Sequence, residues 1–193
     1  IMGRGYCSNG YIENFQMNSA TDYLKIRDYY GYMVELSSGG DVSNGAKLEL
    51  DVGAYLDLTY YGVSIKDEGE LIINTDLAGS RRARISVYYG SGLSFGEGGK
   101  LIVNITESIT GQDAYSFAVI SWSNDSKMSG LSDFVIGENL ILTVQGENYA
   151  GAWNYIINGN SLVINLEAVP EPATYAAIFG AVVLAFIMWR KRR

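Results

Sequence analysis

Gly69-Glu70-Leu71-Ile72-Ile73-Asn74 and, thirty residues later, Gly99-Lys100-Leu101-Ile102-Val103-Asn104 are the stretches on which the fold turns. Each opens on glycine, runs through aliphatic side chains and closes on asparagine. Upstream, Lys47-Leu48-Glu49-Leu50-Asp51-Val52 is apolar at 48, 50 and 52, and Tyr55-Leu56-Asp57-Leu58-Thr59-Tyr60 at 56, 58 and 60. Downstream, Leu140–Val144 and Leu162–Leu166 continue the pattern. Successive side chains of a strand point to opposite faces, so a period of two marks one face for burial. Turn-forming residues separate the runs at Ser43-Asn44-Gly45, Glu97-Gly98-Gly99 and Asn158-Gly159-Asn160. No proline precedes position 170 and no apolar stripe has helical spacing, so residues 1–168 are predicted to form an all-β domain.

Spacing narrows the architecture. Leu48, Leu56, Ile65 and Leu71 mark successive short strands, and three of them make a lap of 23 residues from Leu48 to Leu71. The next lap, Leu71 to Leu101, is 30 residues and calls for an outward loop near Ala78–Arg82. Laps of this kind suit a parallel β-solenoid, the favoured reading. A β-sandwich is the alternative, because strands every 8–12 or so residues also build sandwiches. Tyr115–Trp122 is a further strand, followed by a polar loop at 123–129. The last strands, near 134–144 and 153–166, are expected to close the end, since an open sheet edge recruits other chains.

Composition excludes more than it assigns. With no histidine, a Ser-His-Asp triad, a Cys-His pair and histidine metal sites are ruled out in this segment. Setting aside the four terminal cations leaves 10 bases against 21 acids, a net charge of −11 over residues 1–189. Such a surface repels phosphate, so no nucleic-acid partner is expected. Cys7 has no second cysteine to pair with. Acids such as Asp67, Glu68 and Glu70 could in principle serve glycoside hydrolysis, which needs two carboxylates at a set separation, but acids along strands are far more often solvated. The Gly92–Lys100 stretch lacks the Gly-Lys-Ser/Thr ending of a phosphate loop and reads as a turn. No acidic spacing matches a calcium loop, and no cofactor, metal or catalytic residue is implied. Fifteen tyrosines, with pairs at Tyr29-Tyr30, Tyr60-Tyr61 and Tyr88-Tyr89, could present rings that stack on sugars, although tyrosine also fills half-buried strand faces.

The C-terminal 25 residues are of another kind. Val169-Pro170-Glu171-Pro172 holds both prolines, which fix φ and remove amide donors, so this segment is predicted to stay extended and outside any sheet. From Ala173 to Trp189 run 17 uncharged residues. As a helix they would reach roughly 25 Å, near the short limit for a hydrocarbon core of about 30 Å. Trp189 stands where an interfacial aromatic belongs, and Arg190, Lys191, Arg192 and Arg193 would remain cytoplasmic under the positive-inside rule. The predicted organisation is therefore a β-rich exported domain at 1–168, an extended motif at 169–172, one transmembrane α-helix at 173–189 and a basic end at 190–193. Residues 1–40 hold no apolar export leader and the chain opens on Ile1-Met2, so it is expected to be the C-terminal part of a longer protein or one whose leader is removed.

Pro-Glu-Pro, a short hydrophobic run and an arginine-rich end together resemble the PEP-CTERM sorting signal of Gram-negative-type bacteria, and the wording at Ala173–Gly180 is similar to versions in Verrucomicrobia-like bacteria. The resemblance implies export and recognition at Pro170, Glu171 and Pro172 by exosortase, a membrane-embedded cysteine transpeptidase. Removal of the helix would turn an inner-membrane-anchored precursor into a cell-surface or extracellular protein. The lap reading also resembles the autotransporter-like β-solenoids of surface proteins. Three expectations of function follow. One is a non-enzymatic surface or matrix protein, with extracellular polysaccharide as a candidate partner. Another is the accessory region of an exported carbohydrate-active enzyme whose active site lies upstream. Permanent anchoring without processing is the third.

Overall fold

In a computed structural model, residues 4–7, 10–12, 16–27, 33–36, 39–58, 61–77, 83–88, 91–109, 114–123 and 127–167 are described, with 179, 181–182 and 188–190 of the tail. The described residues form eighteen strands, numbered in chain order, in three sheets.

The first sheet stacks β1 (Arg4–Cys7), β3 (Tyr23–Ile26), β6 (Lys47–Leu50), β9 (Glu70–Thr75), β12 (Lys100–Ile105) and β15 (Leu140–Val144), all parallel, with β16 (Glu147–Asn148) antiparallel at its end. The second stacks β2 (Gly10–Ile12), β4 (Met33–Leu36), β7 (Tyr55–Leu58), β10 (Arg84–Val87) and β13 (Tyr115–Trp122) in parallel. It ends in the antiparallel strands β18 (Ser161–Leu166) and β17 (Trp153–Asn158). The third holds β5 (Gly40–Val42), β8 (Val63–Ile65), β11 (Gly92–Phe95) and β14 (Lys127–Ser129), again parallel. From β3 to β15 each sheet takes every third strand, so the chain visits the three sheets in turn and each lap lays one strand beside the last. Met17, bridged in parallel to Val42, fills the third-sheet place of the first lap.

Register follows the apolar positions. Leu24, Leu48, Leu71, Leu101 and Leu140 stand opposite one another, as do Ile26, Leu50, Ile73, Val103 and Leu142. The 23-residue and 30-residue laps foreseen from Leu48 to Leu71 and on to Leu101 are those observed. The outward loop expected at Ala78–Arg82 lies outside the described residues. Val34, Leu56, Ile85 and Ile120 line the second sheet, and Val42, Ile65 and Phe95 the third. These side chains converge in one buried cluster, with Leu71, Ile85 and Ile65 wholly inaccessible. Pairing is parallel in all three sheets until the last strands, whereas a sandwich would pair its strands antiparallel throughout.

The corner between the third and first sheets explains the glycine that opens both decisive stretches. Lys100 N donates to Gly69 O at 2.9 Å, so Gly69 and Gly99 stack directly. A β-carbon at Gly69 would overlap the Val42 carbonyl, and one at Gly99 the Ile65 carbonyl. Only glycine lets neighbouring laps approach this closely. The Gly92–Lys100 stretch, read as a turn, is instead divided: Gly92–Phe95 is strand β11, residues 96–99 make the corner, and Lys100 starts β12. Leu93, Ser94 and Phe95 alternate apolar, polar and apolar and supply the missed period of two, with Leu93 and Phe95 buried.

Candidate functional site

Two places in the chain carry chemistry beyond packing: a polar ladder on the first sheet, and the segment that follows β18.

The ladder begins at Glu49 on β6. Its carboxylate accepts from Lys25 Nζ at 2.8 Å, from the Tyr23 hydroxyl at 2.5 Å and from Asn74 Nδ2 at 2.8 Å. Burial alone would raise the Glu49 pKa, but donation from Lys25, Tyr23 and Asn74 overrides it and holds the group below its ordinary value. Burial likewise disfavours the Lys25 cation, yet Glu49 and Asp51, the latter 3.5 Å away, keep its pKa raised. Asn74 Nδ2 also donates to the Leu50 carbonyl at 2.9 Å. One lap on, Asn104 Nδ2 donates to Asn74 Oδ1 at 2.7 Å, and Asn104 Oδ1 in turn accepts from the Thr143 hydroxyl at 2.8 Å and the Gly146 amide at 3.0 Å. This is why both stretches end on asparagine. The side chain offers a donor and an acceptor, so each member can satisfy the laps before and after it. The repeat of asparagine was visible in the sequence, but the ladder needs the register to be seen.

The candidate carboxylates sit in structural roles. Glu68 pairs with Lys100, and Glu70 with Lys47 at 2.8 Å. Asp67 and Glu68 occupy the corner with positive φ, where the Asp67 amide donates to the Glu97 carbonyl at 2.8 Å. Lys66 pairs with Asp41 at 2.9 Å, and that contact raises the lysine pKa. Among the described residues no cluster of cysteine and carboxylate side chains could hold a metal ion. Of the tyrosine pairs, Tyr61 and Tyr88 are exposed, while Tyr29, Tyr30, Tyr60 and Tyr89 lie outside the described residues. Cys7 ends β1, in register with Ile26.

The second place begins where the sheets end. Leu166 pairs with both Tyr115 and Trp153, and the Glu167 amide donates to the Ala152 carbonyl at 3.0 Å. Glu167 is the last described residue before the tail. Pro170, Glu171 and Pro172 lie outside the described residues, as do Lys191, Arg192 and Arg193. Phe179, Ala181, Val182 and Met188–Arg190, including the expected anchors Trp189 and Arg190, are helical and exposed. Among the described residues no helix is long and apolar enough to cross a membrane, and most of the span expected at 173–189 falls outside them.

No curated protein and no solved structure matches the chain. Residues 168–193 match the PEP-CTERM protein-sorting motif, and the match starts one residue past Glu167. The chain thus carries, directly behind the last strand among the described residues, a C-terminal signal of the kind that exosortase recognises, which implies export and processing of a membrane-anchored precursor.

Proposed function

We propose that the chain is a non-enzymatic surface or extracellular-matrix protein, a parallel β-solenoid released to its place by exosortase. The observation that carries this reading is the junction at Glu167. The last strand of the stack and the sorting motif abut, with no further domain between them. In this reading residues 173–189 span the inner membrane transiently, Trp189 rests at the interface and Arg190–Arg193 face the cytoplasm. Exosortase grips Pro170-Glu171-Pro172 and cuts behind the folded stack. The exposed rings of Tyr61 and Tyr88 support extracellular polysaccharide as a partner, since a flat ring face suits the apolar face of a sugar.

The test is to express the chain behind an export leader in a host with and without exosortase, and to read the mature C-terminus by mass spectrometry. Loss of the Trp189–Arg193 end only when exosortase is present is the expected result. An intact Arg193 in both hosts would refute processing. Cytoplasmic retention of a tagged copy would refute export altogether.

A further inference from the structure

β17 is the outermost strand of its sheet. One edge pairs with β18 over all six residues, Trp153↔Leu166 to Asn158↔Ser161, without a shift in register. Its other edge has no strand partner among the described residues. Exposed edges in soluble proteins are normally blunted by charge, proline or a bulge. Trp153-Asn154-Tyr155-Ile156-Ile157-Asn158 has none of the three. Ile156 and Ile157 are 45% and 46% exposed, on opposite faces of the strand. Beside them the Tyr155 hydroxyl donates to the Phe134 carbonyl at 3.1 Å and the two rings meet edge to face. That contact brings exposed Val135 and Ile136 to the same end of the molecule.

Charge and sequence together select the occupant. The chain carries a net charge of −7, so two copies repel over most orientations, and an uncharged edge is where they can approach. The strand also matches its own reverse. Antiparallel pairing about a two-fold axis at Ile156 sets Asn154 opposite Asn158, Tyr155 opposite Ile157, and Ile156 opposite itself. Amide meets amide, an aromatic ring meets a branched aliphatic, and backbone donors meet acceptors, which are favourable cross-strand pairs. We propose that two copies associate through β17, joining their second sheets into one continuous sheet across a two-fold axis. One strand pair buries less than the ~1,000 Å² of a stable interface, so the dimer is weak and concentration-dependent. Added salt strengthens it by screening the acidic bodies.

Sedimentation velocity of the full chain in a mild detergent, over a hundredfold range of concentration, tests this. A dimer fraction that grows with concentration and with salt is expected. Ile156→Lys shifts the midpoint at least tenfold while leaving the far-ultraviolet circular dichroism unchanged, because the side chain is half exposed. A wild-type chain that stays monomeric throughout overturns the proposal. So does an Ile156→Lys chain that dimerises like the wild type, which would place association elsewhere, the apolar tail included. In a Cys7→Ser background, Ile156→Cys is expected to cross-link to itself with a short bismaleimide. Asn154→Cys should link efficiently only when mixed with Asn158→Cys. Equal self-linking at Asn154 and Ile156 would overturn the two-fold register.

Discussion

The parallel laps and the antiparallel end hold themselves together by different means. In the laps, every strand from β3 to β12 has a strand on each side in its sheet, except β5, whose outer neighbour is the single bridged residue Met17, and side chains of like chemistry recur at fixed places in the register. Leucine stacks on leucine, glycine on glycine, asparagine on asparagine. At the end, β16, β17 and β18 turn back on their predecessors. The open-space glycines Gly137, Gly146 and Gly159 and the exposed isoleucines belong to this region. A lap is constrained from above and below, so one wrong atom disturbs two neighbours. Of the closing strands, β16 and β17 are paired on one edge only and tolerate more.

Matched substitutions in the two regions put that contrast at risk. The largest effect is expected in the core: Leu71→Ala, at a side chain with no exposure, should destabilise by about 2–5 kcal/mol. Ile157→Ala should stay within about 0.5 kcal/mol. Chemical denaturation of both variants measures the gap, and equal losses would erase the distinction. Next come the corners. Gly99→Ala drives a β-carbon into the Ile65 carbonyl and should destabilise by about 2–3 kcal/mol. Gly146→Ala meets no atom and loses only the ease of its positive φ, about 1 kcal/mol. Thermal melts of the pair decide whether stacking or backbone conformation dominates.

The ladder follows. Asn104→Ala leaves Asn74 Oδ1 and the Thr143 hydroxyl short of partners and should lower stability by about 1–2 kcal/mol. Asn165→Ala breaks hydrogen bonds to Ser116 and Asn154 on an exposed face, where water replaces them, and should shift it by less than about 0.5 kcal/mol. The smallest effect is one of pH. The folded-state pKa of Glu49 is lowered, so its stabilisation is complete above the unfolded value of about 4.3 and is lost as pH falls through the folded value. Glu49→Gln should flatten the acid side of the stability curve below that point. A variant whose curve runs parallel to the wild type would remove Glu49 from the account.

What could be read from the sequence divides along the same line. Leu48, Leu71 and Leu101 recur in phase, so the two middle laps and their lengths were legible. The lap spacing favoured parallel pairing but left a sandwich open, because a period of two reports which face is buried and says nothing of which strand lies alongside. The laps before residue 47 escaped notice for another reason. Gly40-Asp41-Val42 has a single buried side chain, and Met17 stands in for a whole strand, so neither shows an alternation long enough to detect. The sorting motif could be read from the sequence, since it lies in composition and order. The ladder from Lys25 to Thr143 could not, because its members are brought together from five laps.

The head-to-tail hydrogen bonding of Asn74 and Asn104 also bears on how such a chain can change length. Residues 70 and 100 hold the same place in successive laps, so excising 70–99 would join Gly69 to Lys100 and deliver Asn104 to the acceptor that Asn74 uses on Leu50. Duplicating the same segment would insert a ready-made rung. Recombination at these boundaries can therefore add or remove strands of the first sheet in whole laps, with the asparagine seam already compatible.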